Sequence, residues 1–233
     1  MNRWRVLVAA EVRLFWRQGL IIAALVLTLV WAALLQLTPA DSRLFWLGLV
    51  AGMDVIAMGL LFGFGLGLLD QNQGSLTAWR LTPAPALWFS LSRTLLLSGL
   101  LSLCLLLLAL LVLPVTTLWP HLPGFLLLSM QAALAGQLFG RWLSDLNGFI
   151  LATTLSGPLW ALPFFGYVGW MDGFLPWLWP LSGGLYWLTE DAFRSPLLLA
   201  WISLVQLVWF FVTAYRIEQL APRHLGHRLG ETG

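Results

Sequence analysis

Of the 233 residues, 60% are hydrophobic and 9% charged, whereas a soluble domain carries roughly a quarter charged residues, so water is not the solvent for most of this chain. All 12 basic residues are arginine and the net charge is +2, which gives no basic surface for nucleic acid. The absence of lysine excludes a phosphate-binding P-loop, and the single Cys104 excludes an intrachain disulfide.

The first segment, residues 1–18, reads as an amphipathic helix lying in the membrane interface. On a helical wheel Trp4, Val8, Val12 and Phe15 share one side, while Arg3, Arg13 and Arg17 cluster on another. The apolar run that follows is too long for a cleavable signal and no small-residue cleavage site succeeds it.

Six stretches have the length and apolarity of a membrane span. They are approximately Gly19 to Leu37, Leu44 to Leu69, Leu87 to Leu113, Leu122 to Trp142, Gly148 to Trp170 and Pro196 to Tyr215. The predicted fold is therefore an all-α polytopic membrane protein. Residues 19–217 form one membrane domain and residues 218–233 a tail. Turn-like or polar breaks separate the spans, and a longer segment, about 171–195, precedes the last.

Lys and Arg are retained on the cytoplasmic side of short loops. Six spans put both termini on one side, with Arg3, Arg5, Arg13, Arg17, Arg80, Arg93, Arg141, Arg216, Arg223 and Arg228, against Arg43 and Arg194 opposite. The pattern predicts both termini in the cytoplasm. Tryptophans near span ends, Trp46, Trp88, Trp119, Trp142 and Trp170, suit the headgroup level. Trp177, Trp179 and Trp187 suggest that the 171–195 segment rests on or dips into the membrane.

The second span carries Gly48 and Gly52 in one small-xxx-small pair and Gly59, Gly63 and Gly67 in a tandem one. Such spacing forms a groove where another helix backbone can approach. Asp54 lies on the same helix, about 15 Å from its end at 1.5 Å per residue. A carboxylate at that depth faces a bundle hydrogen bond, a transport route or a proton, and no intramembrane arginine is evident as its counter-ion. In the fifth span Ser156, Gly157, Pro158 and Pro163 are expected to interrupt the hydrogen-bond ladder. Ser156 and Pro158, with Gln131 and Gln137 in the fourth span and Gln206 in the sixth, are candidates for lining a route.

After the second span comes a cytoplasmic loop, about residues 71–83, with a short helix predicted from Ser75 to Leu81 and closed by Pro83 and Pro85. Here the chain resembles the type-2 ABC permease family. In that family an acidic residue, a Gly-Thr or Gly-Ser, a Leu and a Leu-x-Pro follow the second span and form the coupling helix that docks into the ATPase subunit. The matching positions are Asp70, Gly74, Ser75, Leu76, Leu81 and Pro83, and the intervening Trp79 and Arg80 belong to the same surface. The interfacial helix, six spans and dipping segment before span six also match in layout.

The resemblance is strongest to bacterial fluoroquinolone-type drug-export permeases, through the Asp54-bearing span and the Leu-Thr-Pro ending. The heme-export permease of cytochrome c maturation is also similar. Asp70 stands where a glutamate is common, and neutral Gln71, Asn72 and Gln73 stand where charges are common. The resemblance implies a subunit of the inner membrane that forms half of an export pathway for a hydrophobic or amphipathic cargo. Its partners are a cytoplasmic ATPase and a second permease, either a copy or a different chain. It carries no cofactor itself, ATP and Mg residing on the ATPase. An ion-coupled secondary transporter using Asp54 is the alternative. An intramembrane enzyme fits poorly, because His121, His224 and His227 lie outside the spans.

Overall fold

The computed structural model describes residues 3–73, 86–171, 175–189 and 195–220. Among these there is no strand. The helices, in chain order, are α1 (Arg3–Arg17), α2 (Leu20–Gln36), α3 (Arg43–Gln73), α4 (Ala86–Val112), α5 (Val115–Leu118), α6 (Leu122–Trp142), α7 (Leu146–Tyr167), α8 (Ser182–Tyr186) and α9 (Pro196–Leu220). Single 3-10 turns occupy Ala40–Ser42, Trp119–His121 and Leu175–Leu178.

Five helices are long and apolar enough to cross a membrane, and six if the bent pair α1–α2 counts as one. The bend is 64°. It falls at Gly19, whose φ of +70° lies in the left-handed region open to glycine. α2 alone has 17 residues, about 25 Å at 1.5 Å per residue. The chain is thus a membrane-embedded helical protein.

Contacts between helices set their directions. Arg93 near the start of α4 meets Asp70 at the end of α3, so these two run antiparallel. Phe149 at the start of α7 stacks on Phe64, and Tyr167 at its end stacks on Phe45, so α7 also opposes α3. The α6 side chains Gln131 and Gln137 bond residues of α9 and α4 respectively. Gln206 of α9 reaches Leu127 of α6 while Thr213, two turns on, reaches Gln131, so α6 and α9 run parallel. α2 ends where α4 ends, Gln36 donating to the Leu111 carbonyl. The long helices therefore alternate in direction.

The centre of the fold is the contact of α3 with α6, the most extensive between any two helices. A Cβ at Gly59 would lie 2.6 Å from the Ala132 Cβ, one at Gly63 2.8 Å from the Gly136 Cα, and one at Gly67 2.6 Å from the Gly140 Cα. The approach is reciprocal, since a Cβ at Gly136 would lie 2.1 Å from the Gly59 carbonyl oxygen. Two small-residue stripes, Gly59-Gly63-Gly67 and Ala132-Gly136-Gly140, thus pack backbone to backbone in parallel register. In lipid, where apolar burial gives little drive, such close packing holds helices together. Gly48 and Gly52 lie nearer the start of α3 and receive Tyr167, Phe164 and Leu185.

The segment between α7 and α9 folds back into the bundle. Leu181 to Tyr186 are all buried, and the Gly184 N–H donates to Gln206 Oε1 at 2.6 Å. Trp209 Nε1, thirteen residues after Pro196, donates to the Leu178 carbonyl at 2.9 Å. That depth is about 20 Å along α9. Gly124 and Gly184 make room for this return, each lying within 2.9 Å of the other's carbonyl oxygen once a Cβ is placed on it.

α7 continues as one helix through Pro158 and Pro163, although each proline withdraws one N–H from its hydrogen-bond ladder, as expected. Neighbouring turns keep their bonds, and Thr153 and Ser156 hydroxyls add bonds to the Phe149 and Ala152 carbonyls. Arg93 and Arg141, counted above toward the cytoplasmic side and lying within the expected spans, are buried in α4 and α6.

Gly63→Leu and Gly136→Leu should each lower the thermal midpoint of the detergent-solubilised protein sharply, because backbone blocks the new side chain; overpacking costs about 1–3 kcal/mol even in softer sites. Gly65→Ala, with no atom within 4 Å of its Cβ position, should leave the midpoint unchanged. Equal midpoints for all three would contradict the α3–α6 contact.

Candidate functional site

The densest polar structure is built from α1, α3, α4 and α6 at one end of the bundle. Arg93 Nε and Nη2 donate to the two carboxylate oxygens of Glu11 at 3.1 and 2.9 Å. Its Nη1 donates to Asp70 and, at 3.3 Å, to the Leu66 carbonyl. Glu11, Asp70 and Arg93 are 6%, 4% and 4% exposed, so the three charges solvate one another instead of meeting water. The guanidinium fork suits this task, offering one edge to each carboxylate.

Two carboxylates against one arginine leave a negative balance. Arg141 of α6, also buried, interacts electrostatically with Asp70 and Arg93 and brings the formal sum to zero. Gln71 completes the ring, its Nε2 donating to the Gly140 carbonyl at 2.7 Å and the Leu143 carbonyl at 3.3 Å. These carbonyls close the last turn of α6, where no intrahelical donor remains. Gln137 Nε2 donates to Thr94 Oγ1 at 2.8 Å, fastening α6 to α4 one residue beyond Arg93.

Position in the chain gives the cluster its interest. Asp70 lies in the last turn of α3 and Arg93 two turns into α4, on either side of residues 74–85. Glu11 attaches the bent N-terminal helix to the same point. The coupling positions Gly74, Ser75, Leu76, Trp79, Arg80, Leu81 and Pro83 lie outside the described residues, as do Asp172, Glu190, Asp191 and Arg194 and the tail from residue 221. Of the coupling set the structure thus places Asp70 alone, and it places it in the buried cluster.

Sequence reasoning missed Glu11. The wheel put Trp4, Val8, Val12 and Phe15 on the apolar side of α1, but Val12 is exposed, and among the described side chains of α1 the buried ones are Glu11 and Phe15. A signal was present, since Glu11 is the only acidic residue among the first forty.

The pathway candidates do not converge. Asp54 is half-buried and accepts from Trp31 Nε1 of α2 at 3.1 Å. Gln131 donates to Thr213 Oγ1 of α9 at 3.4 Å. Gln206 accepts from Gly184 and donates to the Leu127 carbonyl at 2.6 Å. Ser156 bonds within α7, accepting from Trp160 Nε1 at 3.2 Å, and Pro158 is exposed. The three glutamines are buried clasps around α6, and Asp54 holds α2 to α3.

α7 touches the bundle mainly at its ends. Phe149 packs on Phe64 and Phe139, and Phe164 and Tyr167 fill the space over Gly52 and Gly48. From residue 150 to 162 no side chain is buried, a length of about 20 Å. Facing outward on α3, Met53, Ala57, Leu61 and Gly65 form an exposed stripe at four-residue spacing. Comparison with known proteins adds no constraint: no family model, curated protein or solved structure matches the chain.

Arg93→Ala strands two buried carboxylates and should destabilise the protein by about 3–5 kcal/mol. The neutral quadruple substitution Glu11→Gln, Asp70→Asn, Arg93→Met, Arg141→Met, which leaves no unpaired charge at the cluster, should recover most of that loss in thermal unfolding in detergent. A quadruple variant no more stable than Arg93→Ala would show that the ions are not mutually compensating.

Proposed function

We propose that this chain is the membrane-spanning subunit of an ATP-driven exporter, coupled to a separate ATPase through the segment that follows α3. The observation that carries this reading is the Glu11–Arg93–Asp70 cluster. It clamps the two helices that bracket residues 74–85 to each other and to α1. A push applied to that segment by a docked protein is delivered to α1, α3 and α4 together, since buried ion pairs hold only in well-aligned geometry.

The coupling-loop resemblance supports the same reading, with Leu76, Trp79 and Leu81 supplying the apolar docking surface and Arg80 a charge. The arginine distribution favours the cluster end as the cytoplasmic one, even with Arg93 and Arg141 set aside as buried. The sparse middle of α7 and the exposed stripe on α3 suit a wall completed by a second permease, so that cargo moves between two subunits. The apolar character of those surfaces suits a hydrophobic or amphipathic cargo. Lysine's absence assigns ATP and Mg to the partner. We place the protein in the plasma (inner) membrane, with both termini cytoplasmic.

Affinity purification of the full chain from its own host should bring down an ATPase without membrane spans, and Leu76→Asp or Leu81→Asp should reduce its recovery at least tenfold while the chain stays monodisperse. Recovery of no such ATPase, together with transport that follows an ion gradient and is lost in Asp54→Asn, would replace this reading with an ion-coupled carrier. Orientation is tested separately with Cys104 replaced. Single cysteines from Ser75→Cys and Asp191→Cys should label from opposite sides of the membrane, and labelling from one side would overturn the topology.

A further inference from the structure

At the end of the bundle opposite the charge cluster, a cavity of about 410 Å³ opens between the start of α3, the end of α7 and the folded-back segment before α9. That volume is in the range of small-molecule sites. Four of the eight residues lining it are aromatic: Phe45, Tyr167, Trp177 and Tyr186. The remainder are two glycines, Leu188 and Thr189.

These rings are held in place. Phe45 and Tyr167 stack with centroids 5.4 Å apart, and the Tyr167 hydroxyl donates to the Phe45 carbonyl at 3.0 Å. Trp177 meets Tyr186 edge-on at 5.0 Å. Gly166 admits this arrangement, because a Cβ there would lie 2.8 Å from Pro176 and 3.3 Å from the Trp177 ring. The Thr189 hydroxyl donates to the Tyr186 carbonyl at 2.7 Å, closing the helical turn at the rim.

The charge environment selects among ligands. Among the described residues no basic side chain lines the cavity. Arg43, two residues before Phe45, spends its guanidinium on the Thr38 and Gln36 carbonyls. Among the described lining residues an anion would find no cationic partner. Aromatic faces carry negative potential and attract a weakly hydrated cation that comes within about 6 Å of the ring centroid.

We propose that this aromatic cavity binds a bulky organic cation of the quaternary ammonium or phosphonium kind. The site lies within one chain, so it stands whether or not a second permease or an ATPase joins it. The same chemistry is offered by a soluble cation and by a choline-type lipid headgroup.

The test is equilibrium binding of radiolabelled tetraphenylphosphonium to the full chain in nanodiscs of phosphatidylglycerol and phosphatidylethanolamine, corrected for protein-free discs. Binding should be saturable, with about one site per chain. Trp177→Leu and Phe45→Leu should each weaken it, the former at least tenfold, while Trp177→Phe, which keeps a π face, should weaken it less. Triphenylphosphine oxide, neutral and of similar shape, should fail to displace the cation. If phosphatidylcholine in the discs competes, the natural occupant is a lipid headgroup; if it does not, a soluble cation is. Non-saturable uptake, equal binding by Trp177→Leu and the unaltered chain at matched monodispersity, or displacement by the neutral oxide would overturn the proposal.

Discussion

The backbone contact between α3 and α6 is the constraint on which the rest of the bundle depends. In lipid, side-chain burial contributes little to helix association, and close packing with satisfied polar groups must replace it. The two small-residue stripes bring the helices together at three successive positions four residues apart. Once that register is set, Asp70 and Gln71 of α3 stand beside Gly140 and Arg141 of α6, and the polar end of the bundle is assembled as a consequence. Gln137 of α6 then recruits α4, Gln131 of α6 and Gln206 of α9 join α6 to α9, and Gln206 also holds α8.

The charge cluster is a different kind of object. Its parts come from helices that residues 74–85 and the bend at Gly19 separate in the chain, and it uses ions where an apolar contact would give similar stability. Mutually satisfied buried ions favour one alignment of three helices over the sliding arrangements that apolar contacts tolerate. That property suits a point through which displacement of a surface segment must reach the membrane helices, and it is why the proposed coupling role rests there.

Much of the architecture is legible in the sequence, and the reasons are physical. Apolar length marks the membrane-spanning helices, because a bilayer tolerates little else. The glycine spacing announces that some backbone approaches α3. It does not name α6, whose own stripe uses Ala132 in place of a first glycine. The charge cluster was not legible, because its members are scattered over residues 11, 70 and 93 and two looked like ordinary boundary charges. Glu11 was hidden by the arginines around it, and a wheel that weighs only apolarity cannot recognise a buried carboxylate whose partner is eighty residues away. The prolines of α7 announce two missing donors but not the course of the helix. A missing N–H is local, but whether a helix breaks depends on what the surroundings accept.

The two buried polar systems differ in what they could transmit. Asp54 takes one bond from Trp31 and thereby ties α2, otherwise widely exposed to lipid, to the core of the bundle. An indole on one helix and a carboxylate on the next form a tether: breaking it loosens α2 from α3, while Gln36 still bonds α4 and α3, α4 and α6 stay in register. The arginine cluster is wired in series with three helices, so no one of them can shift without parting an ion from its partner. A carboxylate at mid-depth draws notice first, because charge is rare there. The less conspicuous charges at the end of the bundle are the ones arranged to make several helices move as one.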